Sequence, residues 1–570
     1  MMDVRKRINA GFLGLVVLLA VTVGGWLSTT IREGHGQDMY AEVRRGIGLF
    51  GRIYEEIAQR YVEPIAVDKF VQRGIEAMLE SLDPYTVLVE KEESAELQIM
   101  TQGRYGGVGM RIGMRNGWPT VVEPPFEGTP ALRAGIREGD QIIEVDGVST
   151  KGLSVSETAA RLRGPKGTPV TIKIQRPGVD EPLEFRLIRD EIHPKDVTYA
   201  GIVRDGVGLI KLSRFSRNAG QEVREAIQQL QAQGARALIL DLRNNPGGML
   251  EAAVEVAENF VPKGELIVST HGRVKEAEQE FRSQTNPVWY GKPLAILVNR
   301  YSASASEIVA GCIQDLDLGV IIGSPTYGKG LVQTVVPLDR DTAVKITTAK
   351  YYIPSGRLIQ KPGVFNRESG VFLQDSLAAS DSSRIYHTRN GRLVRGGGGI
   401  TPDILVAEDS LNALQAALLM KSMLFNFAVE YATRHPELPR DFTVDDTIIE
   451  EFRRFLERNN FDYKVEGEES LDQFRQVAEK AGFLASLEPG LKQIDQILKQ
   501  VKAKEFESSL HFIREELQRE IAAKLWGTRG AVEATFDDDQ ALLRAVEILG
   551  NEQTYTSILR GSPKAATAKR

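Results

Sequence analysis

Cysteine is almost missing from these 570 residues: Cys312 stands alone, which excludes an intramolecular disulfide and a thiolate metal cluster. Histidine is scarce as well. His35, His193, His271, His387, His435 and His511 lie far apart, and none has the close spacing of a helical metal site, so neither a metal nor another cofactor is expected. An excess of positive charge is absent too. The 71 Lys and Arg are outweighed by 77 Asp and Glu, for a net charge of −6 with the signs interspersed, unlike the basic stripe with which nucleic-acid binders displace counterions. No nucleic-acid partner is expected.

Charge is missing altogether between Ala10 and Leu27, just after Arg5, Lys6 and Arg7. A basic flank and an apolar run suit a secretory signal or a membrane anchor. No convincing small-x-small cleavage site follows, and the run is about as long as one bilayer crossing. The expectation is an uncleaved anchor at 10–28 behind a cytoplasmic basic segment at 1–9. The bulk of the chain would then lie in the periplasm or cell exterior, tethered to a bacterial inner membrane, or be secreted if the segment is cleaved.

The length exceeds what one core fills and implies roughly three or four domains. Phe50, Ile53, Tyr54, Ile57 and Tyr61, then Phe70, Ile75, Met78, Leu79 and Leu82, recur at helical spacing in an N-terminal region over 40–100, where Asp83-Pro84 stops the second helix. Short β-like runs with glycine punctuation fill 101–190, around one helix near Ser154 to Leu162. Alternating strands and helices follow over 191–410: VGLIKL, a helix, ALILDL, a helix, then PLAILVN. Near-continuous apolar strands of this kind predict a buried, layered α/β domain. The polar stretch 361–399, ending in Gly396 to Gly399, reads as an exposed insertion or flap. Over 411–560 the pattern is helical and charged, with a stripe through Leu491, Ile494, Ile497, Leu498 and Val501 that suits a bundle core or a subunit contact. The helical regions are therefore the candidates for self-association. Residues 561–570 are expected to be disordered. The fold class is α/β and α+β multidomain.

The chemistry is concentrated in Tyr301 to Gln333. Ser302-Ala303-Ser304-Ala305-Ser306-Glu307 precedes a helix beginning with Ile308 and Val309. Ser304 and Glu307 fit an S-x-x-E capping box, a purely structural alternative. The turn follows the strand PLAILVN, however, at the carboxyl edge of a sheet where open α/β folds place their sites. Alanines flanking Ser304 admit a substrate backbone, and the helix start offers amides to an oxyanion. Lys329, in the turn Tyr327-Gly328-Lys329-Gly330, is the candidate base, because burial lowers an amine's pKa until it can take a serine proton. Asp241 to Gly248 runs a buried strand into a Gly-Gly turn, a place where amides are left unpaired.

These segments together resemble the C-terminal processing peptidases, or tail-specific proteases. The resemblance implies a ClpP/crotonase-like protease domain with Ser304 as nucleophile, Lys329 as general base and Gln333 orienting the lysine amine. It implies an oxyanion hole from Ala305 and either Gly247 or Gly248. Gly128 to Asp140, leading into IIEVDG, looks like the core of a PDZ domain. Tyr105, Gly106, Gly107, Val108, Gly109 and Met110 stand where such a domain holds a terminal carboxylate, and an extended peptide can add a strand beside Val108 to Ile112. The helix through Ala159 and Leu162 would form the far wall, and Arg163 or Arg104 would support the carboxylate or link the domain to the protease. The implied partners are proteins or peptides with accessible C-termini. The pattern departs from the family between Arg357 and Gly399, where the polar stretch is inserted, and it leaves the C-terminal helices unexplained. Two alternatives stand beside this one. The first is an inactive, membrane-tethered PDZ scaffold. The second is a Ser-His-Asp protease with an appended PDZ domain, disfavoured because no histidine lies between Phe281 and His387.

Overall fold

The computed structural model describes residues 36–89, 99, 102–339, 342–362, 364–366, 371–373, 384–407 and 410–561. The segments expected at 1–9 and 10–28 and the tail at 562–570 lie outside them. Among the described residues no helix is long and apolar enough to cross a membrane. The membrane-anchored placement is therefore corrected: nothing in the described fold supports it.

The chain divides into two units at Ser81. In the first, the helices Gly36–Arg60 and Val67–Glu80 meet through Tyr54 and Phe70, whose rings stack with centroids 6.0 Å apart.

The second unit begins with the strand Val87–Val89 and continues into a six-stranded antiparallel sheet ordered Ile112–Arg115, Trp118–Val121, Gln141–Val145, Pro169–Gln175 and Leu183–Ile188, with the short strand Val148–Ser149 also paired to Gln141–Val145. Val121, Ile142, Val145, Ile172 and Ile174 form its core. Ser154 caps the one long helix here, Val155–Leu162. Its hydroxyl accepts the Glu157 N–H while the Glu157 carboxylate accepts the Ser154 N–H, the reciprocal arrangement that satisfies two otherwise orphaned donors.

The central sheet is six-stranded, ordered Val197–Arg204, Val207–Leu212, Ala237–Asp241, Leu294–Val298, Val320–Gly323 and Ile404–Leu405, antiparallel only at its first pair. Ala237–Asp241 and Leu294–Val298 are buried at every position, as their unbroken apolar runs require for strands covered on both faces. The helices Ala219–Ala232, Leu250–Ala257 and Ala305–Asp315 cover one face. The other face is covered by the last helices of the chain, Gln540–Gly550 and Glu552–Arg560, through Leu542, Ala545, Ile548, Leu549 and Tyr555. A smaller sheet lies beside the central one, where Ala343–Tyr352 pairs with Leu331–Pro337, Val87–Val89 and Leu266–Gly272.

Gly396 to Gly399 do not form an exposed flap. Gly396, Gly397 and Gly399 are buried, and a Cβ at Gly399 would stand 2.6 Å from Thr326 Oγ1 and 3.1 Å from Glu307 Oε1. Gly399 is glycine because the backbone there passes against buried polar groups, which composition alone does not distinguish from flexibility.

Because Leu542 is 1% exposed against the central sheet, Leu542→Ala is expected to lower stability by about 2–5 kcal/mol, measured by urea unfolding.

Candidate active site

Three serines occupy the turn after Leu294–Val298, and their surroundings separate them. The Ser302 hydroxyl donates to Leu242 O at 2.8 Å and accepts the Asn299 N–H at 2.9 Å. The Ser306 hydroxyl donates to Asn245 O at 2.9 Å. Both side chains are wholly buried and pin the turn to the neighbouring loop. Ser304 is partly exposed at the head of the helix Ala305–Asp315, with φ 55° and ψ −114°. A non-glycine residue at positive φ carries about 1–3 kcal/mol of strain and persists where its surroundings fix it.

Glu307 provides that fixing. Its Oε2 accepts the N–H groups of Ser304 and Lys329, each at 2.9 Å; its Oε1 accepts the Gly328 N–H at 2.8 Å and the Thr326 hydroxyl at 2.5 Å. The serine turn and the lysine turn are therefore held by one carboxylate. Tyr351 adds a second tie, its hydroxyl lying 3.1 Å from Ser304 O and also bonded to Lys329 O. Complete burial lifts the Glu307 carboxyl to about 7, with its four donors opposing the rise. The capping box had marked Glu307, but only as a local partner of Ser304; its hold on the lysine turn, 22 residues away, left no local signal.

Lys329 is lowered from 10.5 to about 8, first by burial and then by Lys345, against the attraction of Glu307 and Asp83. Its amine lies 4.5 Å from the centroid of the Tyr85 ring, a residue the sequence reading passed over. Gln333 is on the strand that follows, and its Nε2 donates to Thr347 Oγ1 at 3.4 Å. The structure places Gln333 near the lysine in the chain without bringing it to the amine by a hydrogen bond.

The Gly-Gly turn resolves into two different environments. The Gly247 N–H donates to Asn245 Oδ1 at 2.9 Å. A Cβ at Gly247 would lie 2.9 Å from both Ala305 N and Ser304 Cβ, so its bare α-carbon permits the close approach to the serine turn. Gly248 sits in a parallel bridge with Phe215 whose bonds use the flanking Gly247 O and Met249 N. Among the described residues the N–H groups of Gly248 and Ala305 have no acceptor. The preceding strand end is fixed by Arg243, which holds Asp241 through Nε and Nη2 and reaches Asp539 at 2.8 and 2.6 Å. Despite its burial, the Asp241 carboxyl is held well below the usual range by Arg243 and Lys211.

A second groove, of about 390 Å³, runs between Gly107 to Ile112 and the helix Val155–Leu162. Tyr105, Val108, Gly109, Met110, Ala159 and Arg163 line it. Ile112–Arg115 is the edge strand of its sheet. Gly109 has φ +82°, and a Cβ there would stand 2.4 Å from Thr129, so the loop can turn only as glycine. Gly106 pairs with Glu191 in the strand Tyr105–Gly107 and abuts Gly164 O. Arg163 lies over Tyr105 with its guanidinium carbon 5.8 Å from the ring centroid. Arg104 instead pairs with Glu191 at 2.9 Å.

Residues 206–366 match peptidase family S41, residues 121–176 match "PDZ domain", and residues 414–549 match "Probable PDZ-protease, C-terminal helical domain". The carboxy-terminal-processing protease of Bartonella bacilliformis is 38% identical over 342 residues, covering 59% of this chain and 77% of that one. The chain belongs to the carboxy-terminal processing protease family. It is a serine-type peptidase, and the inactive scaffold is set aside. A carboxyl-terminal-processing protease of Synechocystis is likewise 38% identical, covering 55% of this chain and 74% of that one. Among solved structures, the photosystem II D1 C-terminal processing protease is 29% identical, with 62% of this chain and 85% of that one covered and a TM-score of 0.34. The C-terminal helices that the sequence left unexplained are, over residues 414–549, the part that matches the helical-domain family.

Two outcomes follow from the shape of this protease site. Ser304→Gly relieves the positive-φ strain and is expected to be more stable than Ser304→Ala by about 1 kcal/mol in chemical denaturation. Glu307→Gln turns an amide NH2 towards two of the four donors and is expected to cost about 1–3 kcal/mol of stability in the same assay.

Proposed function

We propose that this peptidase cleaves polypeptides with a Ser304–Lys329 dyad through an acyl-enzyme, and that its PDZ groove receives the substrate's C-terminal tail. The observation that carries this is the single carboxylate oxygen of Glu307 shared by the Ser304 and Lys329 N–H groups. It ties the turn of the one partly exposed serine to the turn of a lysine whose surroundings depress it to about 8.

In this reading Lys329 Nζ takes the Ser304 proton as Oγ attacks the scissile carbonyl carbon. The oxyanion is received by the free N–H groups of Gly248 and Ala305, in preference to Gly247, whose donor Asn245 already uses. Collapse breaks the peptide C–N bond, and the leaving amine takes the proton back from Lys329. Lys329 then activates water to hydrolyse the ester. Gln333 is the candidate to hold the amine during transfer, by giving up its Thr347 partner. In the PDZ groove, the tail adds as a strand to the Ile112–Arg115 edge, with the Val108 to Met110 loop receiving the carboxylate and Arg163 beside it. Tethering the tail raises the local concentration of the cleavage site.

The base must be uncharged, and its folded-state pKa lies below the ordinary lysine value. Activity therefore rises with pH through about 8 and levels above it, falling about tenfold per unit on the acid side. Ser304→Ala and Lys329→Ala are expected to abolish turnover of a reporter peptide without loss of fold, and Lys329→Arg fails likewise because its charge is permanent. Substrates differing only in their last residues, compared by mass spectrometry, test the groove: equal cleavage rates would refute tail recognition. Retained turnover in either alanine variant would refute the dyad.

A further inference from the structure

Residues 83–89 precede the PDZ domain in sequence but are joined to the strand Ala343–Tyr352, which pairs with Leu331–Pro337 just after Lys329. Asp83 Oδ1 accepts the N–H groups of Tyr85 and Thr86, each at 2.8 Å, and its Oδ2 accepts the Thr86 hydroxyl at 3.0 Å. Thr86 Oγ1 in turn accepts the Thr347 N–H at 3.2 Å. Val87, Leu88 and Val89 continue as a strand against Lys345, Val344 and Ala343. The turn is fixed at both ends, and it presents the Tyr85 ring to the Lys329 amine at 4.5 Å.

We propose that Tyr85 is a positioning residue for Lys329, its ring face seating the amine beside Ser304 and setting the pH at which the base becomes available. The proposal rests on the reading of Lys329 as base. An aromatic ring acts on such an amine in two opposed ways. It excludes water, which favours the neutral form. Its negative face attracts the ammonium, which favours the charged form. The other groups facing the amine are fixed. Lys345, on the paired strand, repels the charge, while Glu307 and Asp83 attract it. Lys361 packs its stem on Gly328 but turns its own amine to Thr326 O at 3.3 Å. Tyr85 is not itself a rival base: burial and the adjacent Tyr327 push its phenol upward, so it stays neutral over the working range.

Because the two effects oppose, three substitutions separate them. Tyr85→Phe keeps both the bulk and the ring face. Tyr85→Leu keeps water out but removes the face. Tyr85→Ala removes both and admits water.

The experiment measures the midpoint of the acid limb of kcat/KM for the full chain on a reporter peptide. In parallel, the Lys329 amine is titrated by NMR of 13C-labelled lysine in a Ser304→Ala background, so that a poorly active variant still reports. Expected are an unmoved midpoint for Phe, a fall of about half a unit to one unit for Leu, and a rise of about one unit for Ala. Any other order of midpoints, including no movement or a common direction for Leu and Ala, overturns the role of Tyr85. Lys329→Ala is run alongside. Turnover in that variant refutes the base itself, whereas an inactive Lys329→Ala with unmoved Tyr85 midpoints refutes only this proposal.

Discussion

The site depends on a buried carboxylate with four donors. Glu307 is fully enclosed, and a carboxylate in such a place is costly unless its lone pairs are filled. Two oxygens filled by Ser304, Lys329, Gly328 and Thr326 satisfy that requirement only if the serine turn and the lysine turn meet. The demand for hydrogen bonds around Glu307 therefore enforces the approach of two segments that the chain separates. Gly399 and Ile400 belong to the same knot: the Ile400 N–H donates to Thr326 Oγ1 at 2.7 Å, and only a missing side chain lets the backbone pass Glu307. The far end of the polar insertion is thus anchored at the site.

The other wall of the site is held from the distant C-terminus. Arg243 joins Asp241, at the end of a central strand, to Asp539, which also caps the helix Gln540–Gly550 by accepting the Leu542 N–H at 3.0 Å. That helix lies on the sheet face opposite the helix Ala305–Asp315. The loop that carries Gly247 and Gly248 begins where Arg243 ends this chain of contacts. Closing the sheet with the last helices and shaping the Gly-Gly turn are, in this fold, one structural act.

Legibility in the sequence followed the range of the interactions. Apolar strands, the capped helix after Ser154, the serine turn and the glycine-flanked lysine were readable because period and turn chemistry act over a few residues. Ser304 stood out among three serines through its flanking alanines, its spacing to Glu307 and the family resemblance; that Ser302 and Ser306 are spent on Leu242 and Asn245 is a tertiary fact. Gly247 and Gly248 differ in that Asn245 occupies the N–H of Gly247, and a dipeptide of identical residues holds no such information. Tyr85 was passed over because Asp83-Pro84 reads as a helix stop, and its ring meets Lys329 across more than two hundred residues. Gly396 to Gly399 misled for the opposite reason, since close approach and flexibility both call for glycine.

The helical region between the protease strands and the last two helices has a further attachment, to the PDZ sheet. Glu138 meets Lys524 at 2.8 Å, with both side chains nearly buried, and Glu520 shares the same ammonium at 2.5 Å. Arg115 lies over Phe425, and Val429 fills the place of a Cβ at Gly139. A buried ion pair adds little net stability, but a misdocked one strands a charge; its effect here is to define one seating of the PDZ domain. Burial lifts Glu138 to about 7 despite Lys524. A carboxyl raised in the docked state favours that state while it holds its proton, so the advantage is full below the ordinary carboxylate range and is lost as pH rises through about 7.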